Sequence, residues 1–439
     1  MKSEEASVRD MANSSTIDSD SLPQSARLDG GARYDPAMRE STDILIVGGG
    51  LVGASLAIAL DAAGRGATLV EAAAPRASAQ PSHDERNLAL ARASVNALTH
   101  LGVWKHAQGA TPITRLNVSR AGEFGAVRIS AAEAGAPMLG ATLPARELGH
   151  ALEQRLRECG HPTRMMPAKL EKLEPRENGW RATIRIGDET RTIETRLLVG
   201  ADGSDSFVRA QIGVAAGEHD YAQCLIVCTI AVERDPEGCA YERFSDEGPV
   251  ALLPLGGCRC GLVLTVASDG ADAMLAMGDE EFIALVQRRF GWKLGRLSRP
   301  GKRQTHRARR VVARSLSAPR AVVIGNAAQT VHPIGAQGFN LGLRDALTLA
   351  ELIAGIEDPG APELLREYAA RRAPDRDGVL AFSHGLISLA CLPQPALAPL
   401  RSLALIAFDS VPPLKRALAK RGMGWRGAAP ANATLERAP

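Results

Sequence analysis

The chain is short of the features that would mark a disulfide scaffold, a metal centre, a nucleic-acid partner or a membrane span. Its seven cysteines are scattered over 439 residues, and their odd number argues against a disulfide framework. None forms a CxxC pair, and Cys258 and Cys260 around Arg259 are better explained as strand residues than as metal ligands. Charge is nearly balanced, with 52 Lys and Arg against 49 Asp and Glu, so the net +3 gives no case for nucleic acid. The apolar stretch 386–408 is broken by Pro393, Pro395 and Pro399 and carries Gln394 and Arg401, so it is not a span. Residues 1–40 lack the apolar segment of a signal peptide and are too acidic for a transit peptide. They are expected to form a disordered extension, with Met11 as an alternative start. No catalytic triad, metal cluster or long repeat is evident. A reducing cytoplasm is the expected setting. The 45% hydrophobic content suits a globular protein of two connected domains.

Against these absences stand two glycine-bearing stretches. Residues 43–47 (DILIV) run into Gly48-Gly49-Gly50-Leu51-Val52-Gly53, then a helical pattern to about Gly64, a second short strand at 67–70, and Glu71. A strand, G-x-G-x-x-G, a helix, a strand and an acid about twenty residues on make a dinucleotide fingerprint. Gly48 would form the tight turn, Gly50 would admit a pyrophosphate, and Gly53 would let helix and strand pack closely. Glu71 would accept hydrogen bonds from ribose hydroxyls. The plainer alternative is a tight turn in an ordinary α/β domain. The second stretch joins the strand-like residues 321–324 to VHPIGAQGFNLGLRD at 331–345. His332-Pro333 restricts the backbone. Gly335, Gly338 and Gly342 permit close backbone approach, and helical spacing starts near Phe339. The free N–H groups of that helix suit an anionic or electron-rich group.

Three motifs, GGGLVG at 48–53, VGADGSDSFVR at 199–209 and IGNAAQTVHPIGAQGFNLGLRD at 324–345, occur in one order. With them the stretch from about 42 to 425 resembles the flavin-dependent aromatic hydroxylases of the para-hydroxybenzoate hydroxylase type. Within these it is similar to the ubiquinone-biosynthesis hydroxylases, and its last motif to those acting on 2-polyprenyl-6-methoxyphenol. The resemblance implies non-covalent FAD, reduction by NADPH or NADH, reaction with O2, and hydroxylation of a prenylphenol through a C4a-hydroperoxyflavin. It implies cofactor contacts from Arg86, Arg146, Asp202, Gly203, Asn326 and the 335–340 segment, including Gly335, Gly338 and Asn340. Asp202-Gly203 also has a plain reading as a capped turn. His332 and Pro333 would lie in the loop beside the flavin, with His332 structural rather than a base. Ala336 stands where this family usually has glycine; if that position needs positive φ, alanine costs about 1 kcal/mol. The chain has no W-x-W-x-I-P stretch, against a halogenase, and no second glycine-rich fingerprint, which fits transient nicotinamide binding. The alternatives are hydroxylation of another aromatic substrate, flavin-dependent reduction of prenyl double bonds, or a flavin-binding non-catalytic subunit of a ubiquinone-biosynthesis complex.

The expected fold class is α/β: a Rossmann-like FAD-binding domain, an interleaved β-sheet substrate domain and a helical C-terminal region. The FAD-binding domain is assigned to 42–112, 143–221 and 306–375, the substrate domain to 113–142 and 222–305, and the helical region to 376–439. Residues 86–104 read as helical, with Leu88, Val95, Leu98 and Leu101 on one face. Gly187-Asp188 suggests a hairpin turn, 197–201 a separate buried strand, and 223–267 several strands. The basic run 302–314 is expected to be a solvated face. The tail is expected to pack on the FAD-binding domain, with peripheral contact at the inner membrane as the alternative.

Overall fold

The computed structural model describes residues 41–73, 86–332, 334–390 and 398–425; the expected extension and Pro333 lie outside them. Apolar, β-branched segments form a central parallel sheet. Its strands run in the order Ser317–Ala318, Ala321–Val323, Glu189–Gly200, Ser41–Val47, Ala67–Val70 and Pro162–Met165, and only the first pair is antiparallel. Ile44, Leu45 and Ile46 are fully buried at its centre. Helices Leu51–Ala62, Ala145–Glu158 and Gln337–Ala354 supply much of the core on one face.

Strand Glu189–Gly200 does two jobs. Its first half closes the expected hairpin onto Gly179–Ile186, with Ile186 opposite Glu189 and Gly187 at φ +60. Its second half enters the parallel sheet, so residues 197–201 are the end of this strand rather than a separate one. The helix expected over 86–104 is also corrected. Asn87–Ala91 is a strand paired with Gly140–Pro144, and only Arg92–His100 is helical. The alternation of Leu88 and Leu90 fits a pleated strand as well as a helix face, and the available partner strand decides between them.

A second sheet of nine strands is almost wholly antiparallel. Its long strands Ala216–Val232 and Gln304–Ala313 run alongside one another and continue past positions 221 and 305. The basic run is therefore a sheet strand. Arg307 pairs with Asp220 at 3.0 Å, and Arg303, just before the strand, pairs with Asp279 at 3.1 Å. One face of this sheet, bearing Ile226, Cys228, Leu252, Leu262 and Leu264, is covered by helix Asp279–Phe290 through Phe282, Val286 and Phe290.

Helix Pro362–Ala390 passes without interruption through position 375. At its two ends the tail packs as expected on the parallel-sheet layer: Val379 and Leu380 meet Val331 and Leu341, and Ala93 N–H donates to the Met423 carbonyl at 2.9 Å. Helices Ala398–Ser410 and Pro412–Gly422 lie mainly elsewhere. Ala419 and Met423 instead join Val127 and Ile129 on the edge strand of the large sheet, where Leu405 and Leu418 add contacts. Arg128 and Asp409 pair at 3.0 Å across this junction. No helix among the described residues is long and apolar enough to cross a membrane.

Candidate functional site

The three motifs meet where the central parallel strands end. Ala201 N–H donates to Val47 C=O at 2.8 Å, and Ile324 N–H donates to Gly200 C=O at 2.9 Å, so the three turns leave the sheet side by side. Their approach needs missing side chains. A Cβ on Gly48, where φ is +105, would stand 2.4 Å from the Ala201 carbonyl oxygen, and one on Gly53 only 1.9 Å from that of Gly48. The third motif closes on the same point. A Cβ on Gly325 would lie 3.1 Å from the Val52 methyls, and one on Gly342 would lie 2.8 Å from a Val52 methyl. Val52 thus fills the space between the first and third motifs.

Polar contacts fasten the second motif to the third. Buried Arg209 donates to the carbonyls of Ala327 at 2.9 Å and Ser204 at 2.8 Å, while Thr330 Oγ1 donates to Ser204 Oγ at 2.7 Å. Asp202 takes the capping role: its carboxylate accepts from Ser206 Oγ at 2.5 Å and from Val208 N–H at 2.9 Å at the start of helix Phe207–Gln211. Gly203 follows at φ +88, the left-handed turn for which glycine is suited.

Glu71 is held by the backbone. One carboxylate oxygen accepts from Gly49 N–H and the other from Ala73 N–H, each at 2.7 Å. A carboxylate has about four acceptor positions, so two remain for hydroxyl donors. Gly50 differs from its neighbours in facing open space, with no atom within 4 Å of a Cβ placed there. Asn326 is exposed although the residues on either side of it are buried, so its amide points outward from the junction.

The late loop is built by tight side-chain constraints. His332 is 1% exposed; its Nδ1 accepts from Ile334 N–H at 3.2 Å, which leaves Nε2 to donate to Gln223 Oε1 at 3.3 Å. Burial lowers its pKa to about 4, so the ring is a neutral strut near neutral pH. Gly335 and Ala336 both have positive φ, +69 and +50, so the alanine occupies the left-handed conformation that glycine would adopt freely. Gly338 leaves its nearest non-local atom, a Val331 methyl, 4.0 Å from a notional Cβ. The Asn340 side chain is fully engaged. Its oxygen accepts from Ala91 N–H and Ser94 Oγ, and its amide donates to Ala89 and Ala336 carbonyls, at 2.7–3.0 Å. It fixes the helix start against the neighbouring strand.

Arg86 and Arg146 come together at one end of a strand pair, where Ala145 N–H donates to the Arg86 carbonyl at 2.9 Å. Arg146 is half-exposed and pairs with Glu147 at 3.2 Å. Behind the third motif lies a buried charge network that the motif search missed. Asp345 accepts from Gly325 N–H at 3.1 Å, Gln329 at 2.6 Å and Arg372 at 2.7 Å, while Asp375 pairs with Arg344 and Arg372. Its only sequence trace is the Arg344-Asp345 pair inside an otherwise apolar helical segment, since Arg372 and Asp375 lie in a stretch already rich in charge.

Bound FAD fits this arrangement. Helices Leu51–Ala62 and Gln337–Ala354 both begin without a side-chain cap and without an acid in the first turn, leaving N–H groups for anionic or electron-rich partners. The open position at Gly50 gives a pyrophosphate room to approach.

The parallel sheet, the glycine fingerprint and the two uncapped helices define a dinucleotide-binding flavoprotein. The FAD binding domain family model matches residues 41–383, and the chain belongs to that family. It is 37% identical over 387 residues to the ubiquinone hydroxylase UbiL of Rhodospirillum rubrum, covering 87% of this chain and 89% of that protein. It is 30% identical to the 3-demethoxyubiquinol 3-hydroxylase of Escherichia coli, covering 88% and 99% respectively. Among solved structures, p-nitrophenol 4-monooxygenase PnpA from Pseudomonas putida DLL-E4 shares the fold. Its TM-score is 0.74 at 17% identity, covering 89% of this chain and 100% of that one.

Proposed function

We propose that this chain is an FAD-dependent monooxygenase that hydroxylates a polyprenylated phenol in ubiquinone biosynthesis, with NAD(P)H as electron donor and O2 as co-substrate. The observation that carries the reading is Val52, packed against both Gly325 and Gly342, which brings the fingerprint turn and the late loop into one site. The similarity to UbiL and to the 3-demethoxyubiquinol 3-hydroxylase supplies the substrate class. The central parallel-sheet layer is assigned to FAD and the large sheet to substrate. FAD bound at the junction supplies the redox chemistry that links nicotinamide oxidation to insertion of one oxygen atom.

The chain's own groups would position and enclose. Gly50 admits the pyrophosphate where Gly48 makes the tight turn and Gly53 the close packing, and Glu71 holds the ribose with its two remaining acceptor positions. Asn326 presents its exposed amide to the ribityl chain. Gly203 gives the second turn its close approach, while Asp202 shapes that turn from within. The segment through Gly335, Gly338 and Asn340 offers backbone N–H groups to the electron-rich end of the flavin ring. Arg86 and Arg146 supply guanidinium groups suited to phosphate. The experiment is oxygen uptake and NAD(P)H oxidation by the purified holoprotein with prenylphenols, joined to quinone profiling in cells lacking the protein. Stimulated, coupled turnover and an accumulating methoxyphenol precursor are expected. Flavin reduction without oxygen uptake would favour a reductase, and no stimulation by any prenylphenol would favour a non-catalytic subunit.

The tail favours peripheral contact with a lipid surface. Helix Ala398–Ser410 has no buried residue, and Leu400 and Leu403 are 65% and 63% exposed. Val411 and Leu414 continue the apolar surface, with Arg416, Lys420 and Arg421 exposed beyond it. Apolar side chains beside cations suit an anionic membrane interface, where a polyprenyl substrate resides. Sedimentation with phosphatidylglycerol vesicles, lost in a Leu400→Asp/Leu403→Asp variant of unchanged FAD content, tests the contact. Equal sedimentation of both proteins would refute it.

A further inference from the structure

The face of the large sheet turned away from helix Asp279–Phe290 carries an acid that the glycine motifs do not reveal. Strand Cys239–Phe244 is paired on one side with Val250–Pro254 and on the other with Arg115–Arg120. In this register Glu242 stands opposite Ala251 and Val118, whereas Tyr241 stands opposite Leu252 on the helix-covered face. Two residues along from Glu242, on its own face, Phe244 packs with Val118, Tyr221 and Ile334. Ile334 lies in the late loop, between His332 and the helix Gln337–Ala354. The carboxyl therefore sits on the wall that meets the proposed flavin site.

Glu242 is closely surrounded by protein yet keeps part of its surface open. Among the described residues nothing donates a hydrogen bond to it, and burial alone perturbs it. A carboxyl so enclosed without a partner is costly for stability, and such groups cluster at sites of chemistry. We propose that Glu242 is the catalytic base that takes the hydroxyl proton of the bound phenol. The inference rests on the hydroxylase reading and adds the residue that activates the ring.

The step balances within the site. The phenol O–H bond breaks, its proton goes to a Glu242 carboxylate oxygen, and the electron pair stays on the aryl oxygen as phenolate. That charge enriches the ring for attack by an electrophilic oxygen derived from O2, with NAD(P)H as the reductant. When the oxygenated ring regains aromaticity it loses its C–H proton to solvent, and the aryl oxygen recovers the proton held by Glu242. The carboxylate is then regenerated. Overall, one phenol, one O2, one NAD(P)H and one proton give one hydroxylated product, NAD(P)+ and water.

Burial pushes the Glu242 pKa up to about 7, which narrows its gap to a phenol near 10. The active carboxylate form thus appears as pH rises through about 7. The other groups on this face do not take that role. Arg120 is bound to Glu123 and Asp246, and Glu123 is held in turn by Arg401 of the tail. His332 has its pKa lowered to about 4, and burial raises that of the Tyr221 hydroxyl, so both are neutral near pH 7. His306 lies on strand Gln304–Ala313, four strands away.

The test uses the FAD-loaded full chain with 2-geranyl-6-methoxyphenol as probe. Two readouts are followed across pH 5.5–9: the coupled kcat, and its dependence on ring substituents that change the acidity of the phenol. Wild type is expected to show kcat rising through about pH 7. Glu242→Gln, at unchanged FAD content and melting temperature, is expected to lose that limb and about a hundredfold in kcat, and to depend more steeply on phenol acidity. Glu242→Asp is expected to restore the pH-dependent limb in part. A Glu242→Gln protein that keeps both the limb and its kcat overturns the inference. Wild type that oxidises NAD(P)H without hydroxylating any probe would instead count against the hydroxylase reading.

Discussion

The glycine junction and the inner face of the large sheet are built in opposite ways. At the junction, Gly48 and Gly53 let backbone meet backbone, and Gly325 and Gly342 close the third turn on the single side chain of Val52. On the sheet face, side chains do the packing: Val118 and Phe244 meet Ile334, and register places Glu242 on the same face beside them. A cofactor that must be approached by main chain leaves a mark at fixed sequence offsets. A substrate wall assembled by pairing leaves almost none.

The sharpest way to break this contrast is Gly53→Val. The new Cβ would collide with the Gly48 carbonyl oxygen, a backbone atom that cannot swing aside. A loss of more than about 4 kcal/mol is expected, enough that little folded protein is recovered. Circular dichroism and solubility report it. A soluble, cooperatively melting Gly53→Val protein would mean that the close packing at the junction can relax.

Next in size is Arg372→Met, which strikes the side-chain network behind the third motif. Arg372 is 2% exposed and donates to both Asp345 and Asp375. Its removal leaves buried carboxylates underpaired and should cost about 3–5 kcal/mol in urea denaturation. Burial alone would raise the Asp375 pKa, but Arg344 and Arg372 outweigh it and hold that carboxyl below the usual carboxylate range. With the folded value depressed, its contribution is present above the unfolded pKa and fades as pH falls through the folded one. Wild type should therefore lose more stability than Arg372→Met on acidification from pH 6 towards pH 3. Parallel losses would remove this network from the acid response.

Gly50→Leu separates cofactor binding from folding. Nothing lies within 4 Å of the added Cβ, and φ is −64, so the apoprotein should keep its melting temperature. The leucine would occupy the pyrophosphate's approach, and FAD affinity should fall about a hundredfold, about 2.7 kcal/mol, by flavin titration. A variant that purifies yellow with full flavin would mean that the pyrophosphate lies elsewhere.

What could be read in the chain follows the same division. The fingerprint turn, the hairpin at Gly187-Asp188 and the helix after Gly338 each rest on local rules of φ, periodicity or turn chemistry. At position 336 the resemblance supplied the question, an alanine where the family usually has glycine, and the left-handed φ of +50 answers it. Residues 87–91 were assigned to the wrong element because their pattern suits both helix and strand, and the deciding partner lies at 140–144. The tail's packing on Val127 and Ile129 was missed for a like reason: its apolar residues do not say which layer they cover. Glu242 was silent, since one acid in a strand has no spacing to betray it.

Ala336→Gly is the smallest effect and tests the point where local and global demands disagree. Alanine at φ +50 carries about 1–2 kcal/mol of left-handed strain, which glycine removes. Glycine also loosens the unfolded chain, returning about 0.4–1 kcal/mol, so the net gain should be only about 0.5 kcal/mol. The neighbouring Gly335 gives the opposite sign. Its Cβ would meet Phe382 at an ordinary 3.8 Å, so Gly335→Ala should destabilise through conformation alone, by about 0.5 kcal/mol once the stiffer unfolded chain is counted. Urea midpoints measured side by side should move in opposite directions by similar small amounts. If both substitutions destabilise, Ala336 makes a contact whose loss outweighs the strain, and the loop beside the proposed flavin site is held by that side chain as well as by backbone geometry.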